Sequence, residues 1–168
     1  MAGRLARRQV DGLYTSDLLR ASQTAAPIAS TLGVEARPMK ELREIFLGDW
    51  EGLHTDELGQ RFPEAWDAWM REPSWDVVPR GEGASAFEQR VVSALDQLFE
   101  QHSHGDAIVV THGGVIQIAL HRVVGRPSYG LFPFRISNGS VSIVERRNGR
   151  LVIATVNDTS HLEGTPEE

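Results

Sequence analysis

Ala107-Ile108-Val109-Val110-Thr111-His112-Gly113-Gly114-Val115-Ile116 joins a four-residue apolar run, rich in β-branched side chains, to the start of a second apolar segment. The run is short and unbroken, the pattern of a parallel strand buried on both faces. After the break at His112-Gly113-Gly114, apolar residues return at Val115, Ile116, Ile118, Ala119 and Val123, the stripe of a helix. A strand that ends on a polar residue and two glycines and then opens a helix suits an anion. Glycine lets the backbone come close to a ligand, and the first N–H groups of the helix, which lack intrahelical acceptors, point at it. A histidine on that turn stands beside a bound phosphate, where it can donate a hydrogen bond or accept a proton. A turn whose histidine only bonds the backbone has the same local pattern, so the decision rests on the rest of the chain.

The same alternation runs upstream. Leu13-Tyr14-Thr15 reads as a short strand, and Ser16 or Asp17 as the cap of a helix carrying Leu18, Leu19, Ala21, Ala25, Ile28, Ala29 and Leu32 and stopping at Gly33. Pro27 inside that helix predicts a kink or a restart. Val34 to Met39 reads as a second strand, so the class is α/β, a mostly parallel sheet with helices on its faces. Ser85 is expected to cap a further helix with Phe87, Val91, Leu95, Leu98 and Phe99 inward. Downstream, Ser140 to Arg146 and Leu151 to Asn157 flank Asn148-Gly149, the signal of an antiparallel C-terminal hairpin. Between Glu41 and Gly83 the pattern loosens. A helical segment from Thr55 to about Met70 lies there, with Pro63, Pro73, Pro79 and all 4 tryptophans, Trp50, Trp66, Trp69 and Trp75. This stretch reads as an insert, a lid or pocket wall over one end of the sheet. Gly3 to Gln9 reads as the tail of a helix, Gly125 through Pro133 as a loop, and the residues after Leu162 as a loose polar tail. Residues 1–162 are therefore expected to form a single domain, with 163–168 outside it.

Composition sets the outer bounds. The chain has 168 residues, 40% hydrophobic and 24% charged, with a net charge of −6, which describes a folded globular protein and makes nucleic acid or an anionic membrane surface an unexpected partner. An anionic small substrate needs local arginines. There are 0 cysteines, which excludes disulfides, thiolate metal sites and a cysteine nucleophile. No apolar run has membrane-spanning length, and the first eight residues lack the apolar core of a signal peptide, so a reduced cytoplasmic setting is expected. No His-Glu-x-x-His pair occurs, and neither a metal nor a cofactor is expected. No Gly-x-Ser-x-Gly occurs either, and Ser140, in the turn Asn138-Gly139-Ser140, is not a nucleophile candidate. A homodimer is left open.

Three features beyond His112 bear on chemistry. Arg20 sits one turn into a helix that follows a strand, within reach of the sheet end where parallel-strand sites form, and its guanidinium matches phosphate geometry. A surface arginine on a helix is the alternative. Glu44, between a strand and the Gly48–Gly52 turn, is placed to act as a general acid, or is a solvated loop glutamate. The tryptophans, Trp50 and Trp69 foremost, line a substrate pocket or form the core of the insert. His102 and His104 are expected to be solvated, and His54 and His121 have no visible partner.

Ser16 to Ala25, Leu42-Arg43-Glu44 with Gly48-Asp49-Trp50-Glu51-Gly52, Arg80-Gly81-Glu82 and Thr111-His112-Gly113-Gly114-Val115 together resemble the histidine phosphatase superfamily, the phosphoglycerate mutase-like fold, and within it the broad-specificity phosphatases. The resemblance runs in register from about Arg4 to Leu162. It implies a three-layer fold and hydrolysis of small phosphomonoesters, a small phosphorylated metabolite being the partner. It implies Arg20 as a phosphate clamp and Glu44 as the acid that protonates the leaving oxygen and then the base for water. His112, helped by the Gly113 N–H, would stabilise charge on the phosphoryl group. The family's nucleophile is the histidine of an Arg-His-Gly motif on a first strand, and this chain contains no Arg-His-Gly. A missing strand flanked on both sides would leave two rows of unpaired backbone groups. The chain is expected to be part of a longer protein with an upstream start; a truncated homologue that closes the gap or borrows a strand, and a non-catalytic phosphate binder, are the competing explanations. Phosphoglycerate mutase-type transfer is the alternative activity.

Overall fold

Two parallel crossovers build the sheet. In the computed structural model, which describes residues 2–125 and 133–162, strand β1 (Gly12–Ser16) lies between β2 (Ala36–Met39) and β3 (Ala107–Val110), in the order β2-β1-β3. Leu13 stands opposite Ala36 on one side and Ile108 on the other, both pairings parallel. All five residues of β1 are buried. The C-terminal hairpin pairs β4 (Val141–Arg147) with β5 (Arg150–Asp158). Its turn residues Asn148 and Gly149 have φ of 51° and 76°, the two positive values a two-residue hairpin turn requires. The expected class is therefore observed: a parallel sheet flanked by helices, with an antiparallel hairpin after it. The loop expected from Gly125 to Pro133 and the polar tail lie largely outside the described residues.

The helices differ from expectation in ways that local physics explains. Helix α1 covers only Ala2–Leu5. Helix α2 runs unbroken from Leu19 to Leu32 and ends at Gly33 in the left-handed region, with φ 67°. Pro27 sits on its exposed face, where the carbonyl that loses its donor can bond water instead. Neither Ser16 nor Asp17 caps α2 as expected: Leu18 flanks its first turn without a side-chain cap, and the Ser16 hydroxyl is engaged elsewhere. The segment expected as one helix to Met70 is two, α3 (Thr55–Arg61) and α4 (Pro63–Arg71). Pro63 has no N–H to extend α3, while its fixed φ suits the first position of a new helix. Helix α5 spans Ala84–Gln101, with Gly83, not Ser85, flanking it. Asp76, eight residues upstream, satisfies its first amide, Oδ1 accepting from the Ala84 N–H at 2.8 Å. Helix α6 covers Gly113–Val124 and stops at Gly125, φ 69°.

Apolar burial divides in two. Tyr14, Leu42, Phe87, Val91, Leu95, Val115 and Ile118 form the main cluster between the sheet, α5 and α6. Trp50, Leu58 and Val78, with Trp66, Trp69 and Trp75 packed on them, form the core of the insert. The hairpin is held by β5 against α6 and by Arg4, which pairs with Asp158 and donates to Ser160 Oγ at 2.9 Å. Among the described residues no helix is long and apolar enough to cross a membrane.

Candidate active site

The end of β3 places His112. The chain stays extended there, φ −121° and ψ 166°, before α6 begins, and the ring lies buried at the C-terminal end of the sheet. Arg20 Nε donates to His112 Nδ1 at 3.2 Å. A neutral ring with Nδ1 as acceptor carries its proton on Nε2, and Nε2 stands 2.9 Å from Ser16 Oγ. Ser16 ends β1 and also accepts from the Leu18 N–H at 3.3 Å. Two adjacent strand ends and the first turn of α2 thus meet at one imidazole. Burial, then the charges of Arg20 and Arg90, push the His112 pKa down to about 4. At neutral pH the free site holds a neutral histidine beside an exposed guanidinium.

Glu44 is built into the same corner. Leu42, fully buried, anchors its loop, and Thr111 Oγ1 donates to the Leu42 carbonyl at 2.8 Å. Glu44 Oε2 accepts from the Gly114 N–H and Oε1 from the Ile45 N–H, each at 3.0 Å. The carboxylate therefore occupies part of the α6 N-terminus, where backbone donors and the helix dipole favour an anion. The two glycines have different tasks. A Cβ at Gly114 would overlap Glu44 Oε1 and stand 3.1 Å from Phe87 Cζ, whereas nothing lies within 4 Å of one at Gly113. Gly114 makes room for Glu44, and Gly113 leads the helix beside His112.

Arg90 on α5 was missed by sequence reasoning. Its NH1 donates to the Glu41 and Arg43 carbonyls at 2.8 Å, and NH2 to the Glu44 carbonyl at 3.0 Å. Nε and NH2 hold the Glu82 carboxylate at 2.9 and 2.6 Å, and Glu82 Oε1 accepts from the Phe46 N–H at 2.8 Å. Both side chains of this pair are mostly buried, 24% and 19% exposed. Together they shape the loop that aims Glu44. The Gly48–Gly52 motif is scaffolding: Asp49 donates its N–H to the Pro79 carbonyl at 3.0 Å and pairs with Arg80, and Glu51 Oε1 accepts from the Leu47 N–H at 2.9 Å.

Other expectations are corrected. Trp50 and Trp69 do not wall the site. Trp50 is 5% exposed and packs edge-on against Trp66 and Trp69, ring centroids 5.9 and 5.8 Å apart; four indoles gathered in an insert satisfy one another as a core. His102 is not solvated: it is half-buried and bonds the Tyr14 hydroxyl through Nε2 at 2.8 Å. His121 meets the Phe134 ring edge-on at 5.8 Å. Arg20, Glu44, Thr111, His112 and Gly113 line a cavity of about 1230 Å³ that continues along β3. Among the described residues no group of His, Cys, Asp or Glu is arranged to hold a metal ion.

The sequence profile of the histidine phosphatase superfamily, branch 1, matches residues 1–159. The chain belongs to this superfamily. It is 33% identical over 135 residues to the adenosylcobalamin/alpha-ribazole phosphatase of Escherichia coli K12, covering 80% of this chain and 66% of that one. It is 34% identical over 152 residues to the metal-independent phosphoserine phosphatase of Arabidopsis thaliana, covering 89% and 62%. Among solved structures, Bacillus stearothermophilus YhfR superposes with a TM-score of 0.86 at 32% identity, covering 96% of this chain and 81% of that one. The chain thus spans slightly under two thirds of the length of these two curated relatives.

Proposed function

We propose that this chain binds small phosphomonoesters and serves their hydrolysis through a phosphohistidine. The observation that carries the reading is the meeting of Arg20, Glu44 and His112 at one end of a single cavity, beside the start of α6. Only Nε of Arg20 is engaged among the described residues, so its two amino groups are available to clamp a phosphoryl group. The Gly113 N–H and the His112 ring add donors on the other side. A dianion brought against His112 opposes the effect of burial and favours the imidazolium, which disperses the charge that builds on the phosphoryl oxygens. Each Glu44 oxygen accepts one N–H and keeps a second lone pair, which allows it to exchange a proton with the departing oxygen. The nucleophile is a histidine other than His112, one that an Arg-His-Gly strand would supply: its nitrogen forms a P–N bond as the P–O bond breaks and Glu44 gives a proton to the leaving oxygen. Water then attacks phosphorus and yields its proton to Glu44, the P–N bond breaks, and orthophosphate and the free histidine are released.

The relatives named as phosphoserine and alpha-ribazole phosphatases support a small substrate, and the name of the Arabidopsis relative supports chemistry without a metal. The absence of cysteine and the net charge of −6 support a cytoplasmic setting without nucleic acid or membrane partners. A second reading, phosphate binding without turnover, has its own observation: both ring nitrogens of His112 are engaged, by Arg20 and Ser16, so that ring is not a free nucleophile. The test is hydrolysis of p-nitrophenyl phosphate by the 168-residue chain, by its His112→Ala variant, and by the chain extended with an Arg-His-Gly strand. Turnover gained with the extension and lost again with His112→Ala is the expected result. Phosphate binding with no turnover in any form favours the second reading.

A further inference from the structure

Ser16 does not cap α2, and its hydroxyl is turned to His112 instead. The residue ends β1, paired with Met39 of β2, and is fully buried. Its Oγ accepts from the Leu18 N–H, two residues on, at 3.3 Å, a local turn contact that fixes the side chain. A hydroxyl has two lone pairs and one hydrogen, so one acceptor position remains. His112 Nε2 lies 2.9 Å from it.

The direction of that bond follows from the other side of the ring. Arg20 Nε keeps its hydrogen at every pH proteins meet and donates it to Nδ1 at 3.2 Å. Nδ1 therefore holds a lone pair, Nε2 holds the ring proton, and Ser16 Oγ accepts it. An imidazolium carries a hydrogen on both nitrogens. Its Nε2–H keeps the bond to Ser16, but its Nδ1–H faces the Arg20 N–H, donor against donor. The Ser16 bond survives in both charge states; the Arg20 bond exists only in the neutral one. The charged groups around the ring are Arg20 on α2, Arg90 on α5 and Glu44 in the loop after β2. Burial first, and then both arginines, disfavours the imidazolium. Glu44 is held by the Gly114 and Ile45 N–H groups, and Asp17 by Arg43. Thr15 and Ser16 of β1 and Gly113 to Ile116 of α6 are neutral. An arriving phosphate dianion reverses that balance.

We propose that Ser16 is a positioning residue of the phosphate site: it keeps the ring proton of His112 on Nε2, so that the proton taken up with phosphate enters at Nδ1 and turns Arg20 from the ring onto the phosphoryl group. Bond for bond, the Arg20 Nε–H to Nδ1 contact is lost, and Nδ1–H and the guanidinium each donate to a phosphoryl oxygen. The proton comes from solvent or from the acidic oxygen of a phosphate monoanion. In the free site Arg20 and His112 occupy each other, and Ser16 is the pivot that remains when they part. The inference rests on the phosphate reading above and adds to it the nitrogen that takes the proton and the residue behind the ring that decides it.

The experiment reads the histidine ring nitrogens of the full ¹⁵N-labelled chain by long-range ¹H–¹⁵N NMR at neutral pH, without and with inorganic phosphate. Expected in the free chain is a His112 ring protonated at Nε2 and bare at Nδ1. Phosphate should protonate Nδ1, leave Nε2 protonated and shift the Arg20 Nε–H as it leaves the ring. Ser16→Ala sets Nε2 against a methyl group, whereas the exposed Arg20 can turn to water. The neutral ring should then swing by about tenfold or more toward the Nδ1–H tautomer, and phosphate, meeting a ready donor, should bring less proton uptake. Ser16→Thr keeps the hydroxyl and should restore the original tautomer. A role in packing alone would lower the stability of Ser16→Ala and leave the tautomer ratio unmoved. A free ring protonated at Nδ1, an unmoved ratio in Ser16→Ala, or a Ser16→Thr ring that follows Ser16→Ala overturns the proposal. So does an Nδ1 that stays bare while the Gly113 amide shows phosphate bound, a result that leaves the phosphate reading intact. No saturable shift at Gly113 overturns that reading and the proton switch with it. The readings on the unaltered chain need no variant, so they decide the matter even if Ser16→Ala does not fold.

Discussion

Alanine at position 114 should dislodge Glu44 while leaving the chain folded. The added Cβ would overlap Glu44 Oε1, and its other close neighbour, Phe87 Cζ at 3.1 Å, belongs to a side chain only 2% exposed in the main core. Phe87 cannot retreat cheaply, so the half-buried carboxylate must move, and its bonds from the Gly114 and Ile45 N–H groups, both at 3.0 Å, loosen. A hydrogen bond to a charged group contributes about 1.5–3 kcal/mol. Alanine in place of a helical glycine returns at most about 1 kcal/mol. Gly114→Ala should therefore lose about 0.5–2 kcal/mol of stability in urea titration, too little to unfold a typical domain. Gly113→Ala, with open space around the new methyl group, should be neutral or slightly stabilising. The site-specific readout is the Ile45 amide resonance and the Glu44 carboxyl ¹³C shift, which should move in Gly114→Ala and stay in Gly113→Ala. Unchanged Glu44 signals in Gly114→Ala, or a larger stability loss in Gly113→Ala, would refute the argument.

Arg20→Ala should weaken orthovanadate binding about ten- to a hundredfold, from the loss of charge-assisted bonds of about 1.5–3 kcal/mol, measured by calorimetry. It should also raise the His112 pKa part of the way back, because the Arg20 charge is the second cause of its depression after burial; ring-proton NMR titration reads this. The low His112 pKa of about 4 also makes stability pH-dependent. The unfolded chain takes up its proton near pH 6.5, before the folded chain does, so stability falls as pH drops from about 6.5 to about 4, by at most about 3 kcal/mol. His112→Gln should flatten that segment of the urea-midpoint profile. Arg90→Ala should cost about 2–4 kcal/mol, because it strands the mostly buried Glu82 carboxylate and frees three carbonyls of the Glu44 loop. Arg90→Lys keeps the charge without the planar fork and should recover only part of that loss in the same urea titration.

What was legible in the sequence was local. The strand–turn–helix around His112 showed in an apolar run, two glycines and a helical stripe, and the hairpin showed in Asn148-Gly149. Arg20 and Glu44 were ambiguous by themselves and became site candidates through four motifs in register; the structure then brought both to one cavity with His112. What escaped was long-range. Arg90 resembles any arginine on an amphipathic helix, and its three carbonyl acceptors lie 46 to 49 residues earlier. The cap of α5 is Asp76, not the adjacent Ser85, because the chain folds back over the insert. Tryptophan content marked the insert as special but could not tell a pocket from a core, since both bury indole; four rings close enough to pack on one another decide for a core.

The most direct test of the central claim is a titration of the ¹⁵N-labelled chain with inorganic phosphate, following the Gly113 amide, the Arg20 Nε–H and the His112 ring. The account predicts saturable shifts at all three, with proton uptake at His112, and their loss in Arg20→Ala. Shifts that do not saturate, or that saturate at residues away from this corner, would contradict it.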